Sequence, residues 1–208
     1  MSEADPKIIL ASQSPRRRYL LERAGLTFSV IPSAIDEAAV SAGEPARQVQ
    51  ALAEAKAADV GERFPESWVI AADTIVVVAG RIFGKPRSEA DARDMLARLS
   101  GRTHQVLTGY CLFCRRRGRR ITESVATDVE FKVLSPVEID WYIRTGEPFD
   151  KAGAYAIQGI GTFLVRRING SYTNVVGLPV CEVIEHLIRE GVVGWDPAAE
   201  NGLKVETP

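Results

Sequence analysis

Trp68-Val69-Ile70-Ala71-Ala72-Asp73-Thr74-Ile75-Val76-Val77-Val78-Ala79-Gly80-Arg81-Ile82-Phe83-Gly84-Lys85-Pro86 is the stretch that decides the fold. Residues 68–78 form a strongly apolar run of strand length, and Ala79-Gly80 is a hairpin signal that turns the chain back through Arg81, Ile82 and Phe83. Further on, two long strands at about 105–115 and 120–133 meet at Arg116-Arg117-Gly118-Arg119, a second hairpin. Helical segments are interleaved: one from Pro45 to about Ala58, one opened by Ser88-Glu89-Ala90-Asp91, one by Ser135-Pro136-Val137-Glu138, and a last from about Pro179 to Arg189. A doubly wound sheet needs a crossover after each strand, and two hairpins break that pattern. The expectation is an α/β fold with a mixed, largely antiparallel twisted sheet and flanking helices.

Working back to the N-terminus, Lys7-Ile8-Ile9-Leu10-Ala11 reads as a short buried strand and Thr27–Ile31 as a second. Between them Ser14 is placed as an N-cap, Pro15 as the first helical residue and Gly25 as a stop, with Tyr19, Leu20 and Leu21 available for packing. Arg16, Arg17 and Arg18 therefore fall in the first helical turn. Free N–H groups and a positive dipole already sit there, which makes three cations unfavourable unless an anion completes the site. A hydroxyl-bearing strand-to-helix turn with arginines at its mouth is suited to phosphate or carboxylate.

The 208 residues carry 26 Lys and Arg against 27 Asp and Glu, so no global field draws the protein to nucleic acid or an acidic membrane. The basic run Arg115–Arg120 lacks interleaved aromatics and reads as a solvated hairpin tip. No apolar run reaches membrane-spanning length and the N-terminus lacks a signal pattern, so a cytoplasmic protein is expected. Three cysteines argue against a disulfide framework; Cys111 and Cys114 lie three apart on a strand, facing opposite ways, and cannot share one metal. Residues 1–194 read as one domain, and the tail 195–208 has no hydrophobic period, as in a flexible extension.

Asp73 interrupts a core strand, and a carboxylate there must be hydrogen-bonded, paired with a cation or bound to a metal. Lys56 continues the apolar stripe of Val49, Leu52 and Ala53, which is compatible either with function or with snorkelling from the last turn of its helix. Lys85 follows the hairpin with Pro86 holding it extended, so a pair with Asp73 or a phosphate are its two candidate partners. Asp36 and Glu37 are adjacent loop acids. In Asp150–Gly159, small residues permit close approach of a ligand, while Lys151, Tyr155 and Gln158 offer a cation, an aromatic face and an amide. Cations for a polyphosphate, carboxylates for a divalent metal and an amide for a base edge together point to metal-assisted hydrolysis of a nucleotide phosphoanhydride.

At these residues the chain resembles the Maf-like nucleoside triphosphate pyrophosphatases, from about Lys7 to Glu190. The resemblance rests on Ala11-Ser12-Gln13-Ser14-Pro15-Arg16-Arg17, Ala72-Asp73-Thr74, Gly84-Lys85-Pro86 and Leu99-Ser100-Gly101-Arg102-Thr103-His104, followed by Asp150-Lys151-Ala152-Gly153-Ala154-Tyr155 with Gln158-Gly159, then Gly170-Ser171-Tyr172 with Val176-Gly177-Leu178-Pro179. The Asp-Lys-Ala-Gly-Ala-Tyr and Ile-Gln-Gly pattern looks like the branch acting on dTTP and UTP. The resemblance implies two lobes around a central cleft, an inosine triphosphatase-like architecture. It implies a hydrolase, a house-cleaning enzyme of nucleotide metabolism, that yields a nucleoside monophosphate and pyrophosphate with Mg or Mn.

By family position, Asp73 would be the general base and, with Glu37, a metal ligand, while Lys56 and Lys85 would complete the catalytic set. Ser12, Arg16, Arg17, Thr74, Lys151 and Gln158 would bind substrate, with Arg16, Thr74 and Gln158 at selectivity positions. Phe83 and Ala156 depart from the frequent family residues, and Ala156 narrows the expected base pocket. His104 is kept as structural. The implied partner is a small-molecule nucleoside triphosphate, with no nucleic acid and no membrane; a homodimer is compatible with the sequence. The competing class is a nucleotide-binding regulator of cell division with little turnover.

Overall fold

The computed structural model describes residues 7–194, so the expected tail at 195–208 lies outside the described residues. In chain order the elements are β1 (Ile8–Leu10), α1 (Pro15–Arg23), β2 (Ser29–Val30), α2 (Pro45–Arg63), β3 (Trp68–Val78), β4 (Arg81–Phe83) and α3 (Glu89–Leu99). They continue with β5 (Thr103–Cys114), β6 (Arg119–Phe131), α4 (Pro136–Arg144), β7 (Val165–Asn169), α5 (Tyr172–Val176) and α6 (Val180–Arg189). One sheet has the order β2-β1-β3-β5-β6-β7, with β4 paired to β3. β1 is parallel to both β2 and β3, whereas β4 on β3 and β7 on β6 are antiparallel. The mixed α/β sheet expected from the two hairpins is the one found.

The chain divides into two compact units, with β3, β5 and β6 contributing residues to each. The first takes in residues 7–73, 109–124 and 177–194 of the described chain. Its core joins Ile9, Ala11, Val69 and Ala71 of the parallel strands to Ala53, Ala57 and Val60 of α2, closed by Cys111 and Phe113 of β5. The register is Ile9 opposite Val69 and Leu10 opposite Ile70, so Ser12 follows the carboxyl end of β1 while Asp73, midway along β3, lies just beyond the parallel pairing. That edge is where ligands enter parallel sheets, because the connecting loops and helix N-termini converge there.

The second unit takes in 74–108 and 125–176. Its core combines Val76, Val78 and Phe83 with Leu96 and Leu99 of α3, Phe131 of β6 and Tyr142 of α4. His104, Phe131 and Tyr155 meet edge to face, with ring centroids 4.6 to 5.3 Å apart. Among the described residues, no helix is long and apolar enough to cross a membrane.

Several expected bounds shift, for identifiable reasons. α2 runs to Arg63, not Ala58, because Gly61 is no stop: a Cβ there would come 2.4 Å from the Phe113 ring, so glycine serves close packing. Lys56 is therefore an interior helix residue, not one in the last turn. Tyr19 is half exposed, while Leu20 and Leu21 carry the packing of α1. β2 is two residues long, and β7 begins at Val165, after three 3-10 turns that occupy the Gly-rich segment: Glu147–Asp150, Ala152–Ala154 and Gly159–Leu164. α5 begins at Tyr172, inside the polar stretch 169–174.

Candidate active site

Within the first unit, β3 brings Asp73 to the α2 face of the sheet. Side chains alternate along a strand, so Val69 and Ala71 point into the core against α2 and Asp73 continues their row. α2 answers with Lys56, on the same stripe as Val49, Leu52 and Ala53, all buried. Lys56 is 8% exposed, and its Nζ lies 2.8 Å from Asp73 Oδ1 and 2.8 Å from Glu37 Oε1. A buried ammonium without carboxylates would cost several kcal/mol, so the pattern anomaly at Lys56 and the one at Asp73 resolve each other. The adjacent acids separate cleanly: Asp36 Oδ1 caps a 3-10 turn by accepting from Ala38 N at 3.0 Å, whereas Glu37 is the acid that reaches Lys56, with a side chain still 60% exposed.

The strand-to-helix turn of the same unit is built as its sequence requires. Ser14 is extended and caps α1 through Arg17 N, with Pro15 opening the helix. Ser12 Oγ accepts from Ser14 N at 3.2 Å and from Arg17 Nη1 at 3.1 Å. Both lone pairs of that hydroxyl are used, which directs its own proton to serve as a donor. Arg17 also donates Nη1 to Ala72 O at 2.8 Å and Nε to Gly177 O at 2.8 Å. Desolvation lowers this guanidinium from its ordinary value, with the Asp73 charge opposing that shift; an arginine remains protonated regardless. Arg16 is partly buried on the same turn.

The other expected site residues belong to the second unit. Thr74 Oγ1 lies 2.9 Å from Thr108 Oγ1, and Thr108 donates to Asn174 O at 3.1 Å. Lys85 is exposed just past β4 and has no hydrogen-bond or ion-pair partner among the described residues. Lys151 is tied into its loop by donating to Glu147 O at 2.6 Å and Asp150 Oδ1 at 2.5 Å, which engages two of its three N–H donors. Gln158 lines a cavity of about 600 Å³ together with Arg166, Arg167 and Tyr172.

Glu147 holds the Gln158 segment in place. It accepts from Tyr142 Oη at 2.7 Å, Ile160 N at 2.9 Å and Gly161 N at 2.8 Å. Burial raises its pKa, but these hydrogen bonds outweigh that effect and leave the carboxyl below its ordinary range. Glu147 and Asn174 were not singled out in the sequence, because their partners (Tyr142, Ile160 and Gly161 for the one, Val106 and Thr127 for the other) are brought to them only by folding.

For a divalent metal, no group of three or more His, Cys, Asp or Glu side chains is gathered among the described residues. Asp73 and Glu37 do share one cation already, the Lys56 ammonium, and they offer hard oxygen donors. That set suits a small hard cation bound by one or two carboxylates, with substrate phosphate and water completing its shell.

Comparison with known proteins is consistent with this architecture. A solved HAM1 protein from Coxiella burnetii matches with a TM-score of 0.51 at 15% identity, covering 88% of this chain and 98% of that one, a likeness of fold alone. A dTTP/UTP pyrophosphatase of Syntrophus aciditrophicus is 51% identical over 87% of this chain and 88% of its own length. One from Geotalea uraniireducens is 50% identical over 93% of this chain and its full length. The sequence profile described as Maf-like protein matches residues 7–190. The chain belongs to the Maf-like protein family.

Proposed function

We propose that this protein is a nucleoside triphosphate pyrophosphatase that hydrolyses dTTP and UTP to the monophosphate and pyrophosphate. The observation that carries the reading is the buried Lys56 ammonium bridging Asp73 and Glu37 just past the parallel pairing of β1 and β3, in a chain half identical to dTTP/UTP pyrophosphatases. Asp73 accepts the proton of the attacking water, and Lys56 fixes the direction of its Oδ1. A divalent cation, Mg or Mn, would be held by Asp73 and Glu37; when bound it supplies charge neutralisation on the triphosphate and a more acidic water. Ser12 donates its hydroxyl proton to phosphate, and Arg16 and Lys85 add positive charge for the polyanion. Arg16, Thr74 and Gln158 are assigned to substrate selectivity, and Lys151, with a third N–H beyond the two its loop engages, to substrate binding.

The partner is a small molecule. Arg115, Arg116 and Arg119 of the hairpin tip are paired with Glu62, Glu66 and Glu190, which supports a solvated surface over a nucleic-acid site. We place the protein in the cytoplasm, where its substrates are, and read residues 1–194 as one functional domain. A regulator with little turnover is the weaker reading, since binding alone gains nothing from a buried acid–lysine pair. Asp73→Asn tests the assignment: loss of a general base lowers kcat by about 10²- to 10⁴-fold. Normal pyrophosphate release from dTTP in that variant would refute the reading.

A further inference from the structure

We infer that Arg17 is a positioning residue that sets the geometry of Asp73 and Ser12, and does not bind phosphate itself. This rests on the reading of Asp73 as the base. Three protein oxygens receive its fork: Gly177 O at 2.8 Å from Nε, and Ala72 O at 2.8 Å and Ser12 Oγ at 3.1 Å from Nη1. The Ala72 carbonyl belongs to the peptide that leads directly into Asp73, so the guanidinium fixes the plane from which the Asp73 side chain departs. The bond to Ser12 Oγ occupies a lone pair and leaves that hydroxyl a donor. The bond to Gly177 O ties both to the segment that opens α6.

The sequence setting explains why an arginine is needed. The parallel pairing of β1 with β3 reaches Leu10 opposite Ile70, with Ala11 N donating to Ile70 O at 2.8 Å; the chain after β1 then turns into α1 while β3 runs on through Asp73. Ala72 O and Gly177 O each accept from this one side chain at 2.8 Å, and taking the donor from a buried carbonyl costs about 1–3 kcal/mol. A planar guanidinium reaches several acceptors at fixed angles, whereas an ammonium is a point charge on a flexible stem. The neighbouring arginines divide differently: Arg18 is exposed and pairs with Glu22 one turn on, at 2.7 Å.

The test compares Arg17→Lys and Arg17→Gln with the parent, measuring kcat for pyrophosphate release from dTTP and Kd for a dTTP analogue with a non-hydrolysable α,β bridge. A displaced base costs on the order of 100-fold in kcat, and both variants are expected to show that loss. Analogue affinity is expected to stay within about threefold of the parent, which also certifies that the variants fold. Weak analogue binding by Arg17→Gln that Arg17→Lys restores would identify a phosphate ligand and overturn the inference, because lysine binds phosphate well. Parent-like kcat in either variant would overturn it too, and failure of both to fold would reduce Arg17 to a structural clamp. Absence of turnover in the parent would instead refute the proposed function.

Discussion

At the scale of single residues, burial decides which side chains act through charge and which through neutrality. His104 is 2% exposed, with Nε2 2.8 Å from Tyr155 Oη, and burial pushes its imidazole from 6.5 down to about 4. Between those two values the unfolded chain binds a proton that the folded chain does not. Stability contributed by neutral His104 is therefore complete above pH 6.5 and is lost as pH falls towards 4, by about 3 kcal/mol in full. Urea unfolding at pH 7 and pH 4.5 should show the parent losing about 2 kcal/mol more than His104→Gln, which keeps an amide for Tyr155; equal losses would refute it. Asp73 and Lys56 were legible in the sequence because a charge in an apolar period is a one-dimensional anomaly. The choice between Asp36 and Glu37 was not, since it depends on a local cap at Ala38 and a distant ammonium. Nor could the sequence say which of three consecutive arginines turns inward, as the acceptors at Ala72 and Gly177 are fixed only by folding.

At the scale of elements, α2 is the part whose placement matters most, because it carries Lys56 to Asp73. β5 passes directly beneath it at Gly109, where an added Cβ would lie 2.4 Å from the Val49 carbonyl carbon and 2.6 Å from Gln50 N. Both are backbone atoms, so the helix itself would have to move. Gly109→Ala should cost about 1–3 kcal/mol through overpacking, or roughly 2–4 °C in Tm for each kcal/mol. Because Val49 lies two turns before Lys56, kcat should fall as well; a variant with parent-like Tm and kcat would show that α2 is not fixed by this contact. β3 and the start of α3 were legible to the residue, one as an apolar run broken only at Asp73 and Thr74 and the other through its Ser88 cap, whose Oγ accepts from Asp91 N. The 3-10 turns after α4 were not legible. They have no hydrophobic period, and bonds to Glu147 from Tyr142 on α4 and from Ile160 N and Gly161 N further along the chain hold them.

At the scale of the whole molecule, fold class and family were readable from sequence because six short motifs occur in order, each doing local work in a turn, a strand end or a cap. The proposed chemistry is attack on the α phosphorus by a water that gives its proton to Asp73, with pyrophosphate as the leaving group. Hydrolysis of dTTP in ¹⁸O-labelled water with Mg or Mn present, followed by mass analysis of both products, tests it most directly. The expected result is equimolar thymidine monophosphate and pyrophosphate with the label in the monophosphate, and no turnover once the metal is chelated. Label in the pyrophosphate, or orthophosphate released in its place, would contradict it.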